Sequence, residues 1–372
     1  MRICIIGWYG TETLGDRAIL GGIFNIFSKL SNKNQFLIGS LFTFYTERTL
    51  LEEESYFRKI SESSDIQCFN VKDSKKLSSV ICDSDLLIMG GGPLMEMYEM
   101  ELIRNSFVYA KRMGVKTIVL GCGIDNMLHK TYCQITMDII KCSDIVILRD
   151  NISNDNLKKI AMYIGISYEE EKIFICNDPA FLGINIPVEK INNGYAVINV
   201  RDYTYQFNQE MNNNIKESLH NLIDKMIDIY GQIILLPNHT FFLGGDDRYY
   251  NAILKHEFKK NSIFTYNYPL GVEDTLKVIS GADICIGMRY HAVLFQMYAN
   301  GNNYIIDYTK PDIGKMSGLL SMIPNRSFYQ NRYLNLARWD SDSEFTFNEN
   351  KYEFPKGYMG TILNRYLDIL DN

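Results

Sequence analysis

Short apolar segments that alternate with helical segments are the feature that most constrains the fold of this chain. Residues 2–7 form an apolar run that ends in glycine, and residues 15–30 then place apolar side chains at helical spacing. The alternation continues with strand-like cores at residues 36–38, 66–69, 86–89, 117–120 and 145–148, and with helical stretches at residues 95–113, 132–141 and 151–164. This order predicts a parallel sheet with helices on both faces.

A second series of the same kind follows a break in the pattern. The turn-forming residues Asn177-Asp178-Pro179 and Asn192-Asn193-Gly194 enclose this break, and we interpret it as a linker. The second series has strands at residues 195–200, 233–236, 263–266, 284–286 and 304–307, and helices at residues 209–230, 247–258, 272–280 and 290–300.

A chain of 372 residues is long enough for two such domains. We predict an α/β protein with one Rossmann-like domain at residues 1–182 and a second at residues 183–350. A C-terminal helix within residues 351–372 is expected to pack back on the first domain. We expect the carboxyl ends of the two sheets to face each other across a cleft, which is where chemistry is usually found in such folds.

Composition excludes some functions. The 38 Lys and Arg residues against 44 Asp and Glu residues give a net charge of −6, which argues against general nucleic-acid binding. The eight cysteines include no CxxC pair, and several lie in apolar runs, as expected of reduced, buried thiols. No targeting segment or run of about 18 apolar residues is visible. These observations indicate a cytoplasmic protein.

Glycine-rich turns follow two of the predicted strands of the first domain. The motif Gly7-Trp8-Tyr9-Gly10 precedes the first helix, and Gly90-Gly91-Gly92 follows the strand at residues 86–89. Glycines at strand ends let backbone N–H groups approach a ligand, so Gly10, Gly90, Gly91 and Gly92 are candidate substrate-binding residues. The spacing is not the G-x-G-x-x-G of dinucleotide sites.

Two charged residues of the first domain are further candidates. Asp16 stands at the opening of the first helix, where it either caps the helix or acts as a base for a hydroxyl group. Arg149 ends a strand and can bind a carboxylate or a phosphate through two hydrogen bonds. A structural pairing of Arg149 with Asp150 is the alternative.

The most informative motif lies in the second domain. Arg289 and His291 stand two residues apart where a buried strand gives way to a helix. Together with the helix N-terminus they form a candidate anion site with a titratable proton donor. Lys310 follows the next strand and adds a cation to the same edge, with Lys315 as the alternative lysine.

A third group of candidates follows the strand at residues 233–236. His239 is placed as a sugar-binding or acid–base residue would be, whereas Asp246 and Asp247 are more typical of helix caps. Arg201 and Asp202 end the first strand of the second domain and are weaker candidates. No metal-binding spacing is present.

These motifs together resemble the polysaccharide pyruvyl transferase family. The matching residues are Gly7, Gly10, Gly15-Asp16 with Ala18-Ile19-Leu20, Gly90-Gly91-Gly92, Gly121 and Gly123, Leu148-Arg149-Asp150 with Ser153, Asp178-Pro179-Ala180, Pro237, His239 and Asp246, and Gly287-Met288-Arg289-Tyr290-His291-Ala292. The last of these blocks is the specific one. The resemblance implies a fold similar to that of GT-B glycosyltransferases and transfer of pyruvate from phosphoenolpyruvate to a sugar, often as a cyclic ketal.

The resemblance also implies roles for particular residues. Arg149 and His291 resemble the phosphoenolpyruvate-binding residues of the family, and Arg289 lies in the same motif. The lysine of the family follows a Tyr-x-x-Lys pattern, whereas Lys310 stands one place early, two residues after Tyr308. The asparagine that often precedes the Leu/Phe-Gly-Asp of the first loop is Thr13 in this chain.

The mechanism expected from these residues uses His291 and Asp16 as acid and base. His291 would protonate C3 of phosphoenolpyruvate, Asp16 would assist the attack of a sugar hydroxyl on C2, and Arg149, Arg289 and Lys310 would offset the negative charge of the donor. This scheme requires no metal or cofactor. The acceptor would be a sugar, an oligosaccharide or a lipid-linked saccharide, and a lipid-linked one would bring the protein to the inner face of the membrane. The sequence leaves the oligomeric state open.

Two other functions are compatible with the same residues. A glycosyltransferase of this architecture would use a nucleotide sugar as donor, and a sugar- or anion-binding protein would bind without turnover. The Arg-x-His pair favours an enzyme, because simple binding does not need a titratable group at that position.

Overall fold

The computed structural model describes residues 1–11, 13–62, 64–188, 194–339 and 345–371, which form two compact units. Unit 1 comprises Met1–Asn185 and Gly357–Asn372, and unit 2 comprises Ile186–Lys356. Asn192 and Asn193 of the predicted linker lie outside the described residues.

Unit 1 is built on a seven-stranded, fully parallel sheet. Its strands are β1 (Arg2–Ile6), β2 (Gln35–Ser40), β3 (Asp65–Asn70), β4 (Leu86–Met89), β5 (Lys116–Cys122), β6 (Ile145–Leu148) and β7 (Ile173–Ile175). Its helices are α1 (Leu14–Leu30), α2 (Thr43–Glu52), α3 (Glu54–Ile60), α4 (Ser74–Cys82), α5 (Met100–Met113), α6 (Lys130–Cys142), α7 (Asn151–Ile164) and α8 (Ala180–Gly183).

Unit 2 is built on a six-stranded, fully parallel sheet. Its strands are β8 (Ala196–Asn199), β9 (Ile233–Leu235), β10 (Ile263–Thr265), β11 (Ile284–Gly287), β12 (Asn303–Asp307) and β13 (Tyr333–Asn335). Its helices are α9 (Gln209–Tyr230), α10 (Asp247–Phe258), α11 (Val272–Ser280), α12 (Tyr290–Ala299) and α13 (Lys315–Met322).

The last helix, α14 (Tyr358–Asp371), belongs to unit 1. It packs on α1 and α8, and the hydroxyl of Tyr366 donates a 2.6 Å hydrogen bond to the carbonyl of Asn177. Helices α4 to α7 pack side by side as a second layer. The strands between the layers are buried on both faces, which explains why β1, β4 and β6 read as continuous apolar runs.

The two sheets share one strand order. Unit 1 has the order β3-β2-β1-β4-β5-β6-β7, and unit 2 has the order β10-β9-β8-β11-β12-β13. In each sheet the order reverses between the first and fourth strands, which are β1 and β4 in unit 1 and β8 and β11 in unit 2. Ligands of doubly wound folds bind outside the carboxyl ends of the strands at this switch point. The residues that follow these four strands are therefore the first place to look for a site.

The structure corrects the predicted helix at residues 95–113 and adds short elements. Helix α5 begins at Met100, because the backbone of Leu94 is already hydrogen-bonded to residues 123 and 125 and cannot join a helix. Edge strands β7 and β13 were not predicted from the sequence. Each has only three residues, too few to show a period.

Candidate functional site

The carboxyl edge of the sheet in unit 2 gathers most of the charged candidates. Arg201 lies two residues after β8, and Arg289 lies two residues after β11. These strands are hydrogen-bonded neighbours, with Asn199 opposite Gly287 in the register. The two arginines therefore leave the sheet side by side at its switch point.

Asp247 is the buried partner of Arg289. Nε of Arg289 lies 2.8 and 2.9 Å from the two carboxylate oxygens of Asp247, and Nη2 lies 2.6 Å from Oδ1. The backbone N–H groups of Asn238 and His239 donate to Oδ2 at 3.0 and 3.1 Å. Because the Asp247 side chain is fully buried, this arrangement fixes the direction of the guanidinium.

The loop 236–246, which joins β9 to α10, encloses one side of this pair. Gly244 and Gly245 have φ values of +88° and +84°, which side chains rarely adopt, and both of their carbonyls accept from Nη2 of Arg289, at 3.4 and 2.7 Å. Asp246 caps α10 by accepting from the N–H of Arg248 at 2.9 Å. Asp247, by contrast, is not a cap, because its carboxylate faces Arg289.

His239 is buried in the same loop and is uncharged at neutral pH. Burial, together with the nearby Arg289, lowers the pKa of His239 from 6.5 to about 4. The ring Nε2 lies 2.5 Å from the carbonyl of Leu243, so Nε2 carries the proton and donates it. This tautomer leaves Nδ1 as an acceptor.

Arg201 lies between two aromatic rings. Its guanidinium carbon is 4.5 Å from the ring centre of Tyr308 and 5.6 Å from that of Tyr205. Burial alone would raise the pKa of Tyr308, but the charges of Arg201, Lys315 and Arg289 outweigh it and lower this pKa. The hydroxyl of Tyr308 therefore lies in an electropositive environment.

The remaining candidates of unit 2 are His291, Lys310 and Lys315, and they differ from one another in their contacts. His291 is the second residue of α12 and is half-buried, with its ring 5.0 Å from that of Tyr290. Lys310 is exposed and makes no hydrogen bond or ion pair with any described residue. Lys315, at the start of α13, is the lysine close to Tyr308.

At the switch point of unit 1, aromatic side chains fill the space beside the glycines. A Cβ atom on Gly92 would lie 2.6 Å from the Trp8 ring, and one on Gly91 would lie 3.1 Å from the Tyr9 ring. Gly90, Gly91 and Gly92 are buried under these rings, so their small size serves packing in this structure. Gly10 has φ +89° and lies close to residues 40 and 42.

Asp16 lines a pocket at the start of α1. The pocket is small, with a cavity volume of about 20 Å³, and it opens to solvent. It is lined by Trp8, Tyr9, Gly10, Thr11, Thr13, Asp16, Arg17, Leu20, Thr46 and Thr49. Thr13 caps α1 by accepting from the N–H of Asp16 at 3.0 Å, and its hydroxyl donates to the carboxylate of Asp16. Asp16 is thus oriented by the cap and also faces the pocket.

Tyr9 contributes a buried phenol to this pocket. Its hydroxyl has no hydrogen-bond partner among the described residues, and the side chain is 4% exposed. Burial, then the charges of Asp16, Cys122 and Asp178, raise the pKa of Tyr9 well above its usual value. Tyr9 is therefore a neutral phenol that can both donate and accept.

Arg149 lies in a buried charge network of unit 1. Its side chain is 3% exposed, with Nη1 3.4 Å from Asp178 and Nε 3.4 Å from Asp150. Asp150 also caps α7 by accepting from the N–H of Ser153 at 2.6 Å. The pairing of Arg149 with Asp150, which the sequence left as an alternative, is therefore present in the structure.

The structure thus brings Arg289, His239 and Arg201 together in unit 2 and separates Lys310 from them. Sequence reasoning missed the role of Asp247 and did not single out Tyr308 or Tyr9 as site residues. One signal for Tyr308 was available, because it follows a strand that ends at the same edge as Arg289.

Two further properties concern the described residues as a whole. No group of three or more His, Cys, Asp or Glu side chains among them could hold a metal ion. None of the helices they form has both the length and the apolar character needed to cross a bilayer.

Comparison with known structures defines the fold class. UDP-GlcNAc 2-epimerase from Methanocaldococcus jannaschii is similar over 100% of this chain and 99% of its own, with a TM-score of 0.58 and 12% identity. The Anabaena protein HepE, solved in complex with UDP and glucose, is similar over 82% of this chain and 80% of its own, with a TM-score of 0.50 and 11% identity. The predicted fold class is confirmed: two Rossmann-like domains of the GT-B type, with parallel sheets and flanking helices.

Sequence comparison then identifies the family. The profile of the polysaccharide pyruvyl transferase family matches residues 14–309, about four fifths of the chain. The chain therefore belongs to the polysaccharide pyruvyl transferase family, as its motifs predicted. None of the curated proteins is similar enough in sequence to count as a match.

Proposed function

We propose that this protein transfers the pyruvyl group of phosphoenolpyruvate to hydroxyl groups of a sugar in a cell-surface polysaccharide or its precursor, forming a pyruvate ketal and releasing phosphate. Membership of the pyruvyl transferase family supports modification of a polysaccharide. Phosphoenolpyruvate is the donor that the chemistry of unit 2 suits best, because it carries a carboxylate and a phosphate on three carbons.

The observation that carries this proposal is the cluster of Arg201, Arg289 and Lys315 around Tyr308 at the carboxyl edge of the sheet in unit 2. The charges of Arg201, Lys315 and Arg289 lower the pKa of Tyr308 although burial opposes this change. In this cluster Asp247 forms its ion pair with Arg289, and no carboxylate of the described residues forms an ion pair with Arg201. Each charge-assisted hydrogen bond to the donor would contribute about 1.5–3 kcal/mol.

The structure changes which lysine we propose for donor binding. Lys310 is exposed and makes no contact with the cluster, whereas Lys315 lies close enough to Tyr308 to lower its pKa. We therefore assign the donor contact to Lys315. Asp247 holds the planar guanidinium of Arg289 through Nε and Nη2. The remaining nitrogen, Nη1, has no hydrogen-bond partner among the described residues, and we propose that it binds the donor.

His291 is the proposed acid of the reaction. It transfers a proton to C3 of the enol, which becomes a methyl group and leaves C2 electrophilic. A sugar hydroxyl then attacks C2, a C–O bond forms, and its proton passes to a base. The bond between C2 and the phosphate oxygen breaks, phosphate leaves, and a second hydroxyl of the same sugar closes the ketal while losing its proton.

The pocket of unit 1 is the proposed site of the acceptor. Asp16 can take the proton of a sugar hydroxyl, since Thr13 holds its carboxylate in one orientation. The buried hydroxyl of Tyr9 can bind a second hydroxyl of the sugar.

Arg149 is proposed as a donor-binding residue only from the family resemblance. Its ion pairs with Asp178 and Asp150 support a second role, in which Arg149 holds those two carboxylates in place.

A transfer assay tests the proposal. The protein is incubated with phosphoenolpyruvate or with a nucleotide sugar and with free or lipid-linked saccharides as acceptors. We expect phosphate release and a gain in acceptor mass of one pyruvyl group, with phosphoenolpyruvate alone as donor. Nucleotide release with transfer of a hexose would instead identify a glycosyltransferase.

The eight free thiols suit a reducing compartment, and we propose that the reaction takes place in the cytoplasm.

A further inference from the structure

Arg201 is held without a carboxylate partner, in contrast to Arg289. Its Nη2 donates to the hydroxyl of Tyr205 at 2.7 Å and to the carbonyl of Gly244 at 3.4 Å, and its Nε donates to the carbonyl of Asp202 at 3.2 Å. Among the described residues no carboxylate forms an ion pair with it. The Asp202 carboxylate instead accepts from the N–H and the hydroxyl of Thr204. The Asp247 carboxylate that pairs with Arg289 acts on Arg201 only from beyond ion-pair distance, and Arg201 therefore has no carboxylate in direct contact among the described residues.

The direct neighbours of Arg201 are aromatic and neutral, and the Tyr308 hydroxyl hydrogen-bonds to its guanidinium. The rings of Tyr205 and Tyr308 pack against its guanidinium, which cation–π contacts stabilise. Nη2 of Arg289 also lies 3.4 Å from the carbonyl oxygen of Gly244 that Arg201 contacts. The two guanidinium groups thus lie within two hydrogen-bond lengths of each other, an arrangement that repels in the absence of an anion.

The topology favours a binding site at this arrangement over a chance surface pair. The two arginines follow neighbouring strands at the switch point, and α12 begins directly after Arg289 with no side chain capping its N-terminus. A ligand at this point meets two guanidinium groups and the N–H groups of a helix.

We propose that Arg201 binds the phosphate group of the donor, and that Tyr205 and Tyr308 are positioning residues that hold its guanidinium for this purpose. The inference rests on the proposed function for the identity of the donor. The phosphate carries more negative charge than the carboxylate, so it pairs with Arg201, the guanidinium that has no carboxylate in ion-pair contact among the described residues. Arg289, already neutralised by Asp247, is left for the singly charged carboxylate.

Calorimetric titration of the full-length chain with phosphoenolpyruvate, inorganic phosphate and pyruvate tests this division. In Arg201→Gln we expect the affinities for phosphoenolpyruvate and for phosphate to fall about 10- to 100-fold, the effect of losing one charge-assisted hydrogen bond. The affinity for pyruvate, which lacks the phosphate, should change less than twofold. Arg338→Gln is the matched control, because Arg338 is an exposed arginine of the same unit whose ion pair is with Asp312.

The outcomes separate this inference from the proposed function. If the wild type binds phosphoenolpyruvate and Arg201→Gln binds it and phosphate equally well, the role of Arg201 is wrong and the donor assignment stands. If pyruvate binding falls as much as phosphate binding, Arg201 does not distinguish the two groups and the inference is also wrong. A wild type that binds neither phosphoenolpyruvate nor phosphate contradicts both proposals.

Kinetics of further variants test the positioning residues and guard against a folding defect. Tyr308→Leu removes both the ring beside Arg201 and the hydroxyl that hydrogen-bonds to it, and should raise the KM for phosphoenolpyruvate without changing the KM for the acceptor. Tyr308→Phe keeps the ring and loses only the hydroxyl, so its KM for phosphoenolpyruvate should lie between those of the wild type and Tyr308→Leu. Arg201→Lys keeps the charge and should recover part of the affinity for phosphate. Equal effects of Tyr308→Leu and Tyr308→Phe, or no recovery in a folded Arg201→Lys, would overturn the proposal.

Discussion

The buried imidazole of His239 makes the stability of unit 2 depend on pH in a defined window. Its pKa is lowered from 6.5 to about 4, primarily by burial and then by Arg289. Between these two values the unfolded chain binds a proton that the folded chain does not. Stability is therefore fully present above pH 6.5, falls as the pH drops towards 4, and loses nothing further through this group below pH 4.

The size of the effect follows from the two pKa values. One pKa unit corresponds to about 1.4 kcal/mol, so between pH 7 and pH 4.5 this imidazole costs about 2.4 kcal/mol of folding free energy. His239→Gln removes the titration while keeping a donor for the carbonyl of Leu243, because the glutamine Nε2 can take the place of the ring Nε2. The variant should lack this part of the pH dependence.

Urea unfolding followed by tryptophan fluorescence measures the difference. The chain has two tryptophans, of which Trp8 lies in unit 1 and Trp339 is buried in the core of unit 2. With Trp8→Phe in every protein compared, the signal reports unit 2. His256→Gln, which changes an exposed histidine on α10, is the matched control.

We expect the wild type to lose about 2.4 kcal/mol more than His239→Gln between pH 7 and pH 4.5. Carboxylates that titrate in this range contribute to all three proteins and cancel in the comparison. An equal loss in the wild type and in His239→Gln would show that the folded state binds the proton as readily as the unfolded state, and would refute the reasoning.

Three further predictions concern other residues of the two units. His291→Gln should lower the rate of phosphate release about 100-fold or more while phosphoenolpyruvate still binds, and a rate within tenfold of wild type would exclude His291 as the acid. Asp247→Asn should destabilise unit 2 by about 1.5–3 kcal/mol, measured by the fluorescence of Trp339, because it removes the charge-assisted hydrogen bonds between a buried carboxylate and Arg289; a loss below about 1 kcal/mol would contradict this pairing. Asp16→Asn should lower kcat about 100-fold with the KM for phosphoenolpyruvate unchanged, and an unchanged kcat would show that Asp16 serves only α1.

The fold was predictable because buried parallel strands leave a strong signal in the sequence. Strands β1, β4, β6, β8 and β11 were predicted at or within two residues of their observed bounds. The glycines of unit 1 were harder to interpret, because a sequence does not show that the Trp8 and Tyr9 rings occupy the space beside them. Small residues at a strand end signal close approach, but not whether a ligand or a side chain approaches.

The sequence allowed the positively charged residues of the candidate site to be predicted, but not the residues with which they pair. Arg289 and His291 stand out in the sequence because a buried strand that ends in a glycine precedes them and a helix begins between them. Asp247 is 42 positions from Arg289 in the chain, and only the fold brings the two together. This pairing changes the choice of variants, since Arg289→Ala removes the partner of a buried carboxylate and would disturb the fold together with the chemistry.

The central claim is that the cluster of Arg201, Arg289 and Lys315 at the carboxyl edge of the sheet in unit 2 binds phosphoenolpyruvate, and a crystal structure of the protein with this donor tests it most directly. We expect the phosphate within hydrogen-bond distance of Arg201, the carboxylate beside Arg289, and C3 of the enol next to His291. Phosphoenolpyruvate bound elsewhere in the protein, with Arg289 and His291 making no contact to it, would contradict the account.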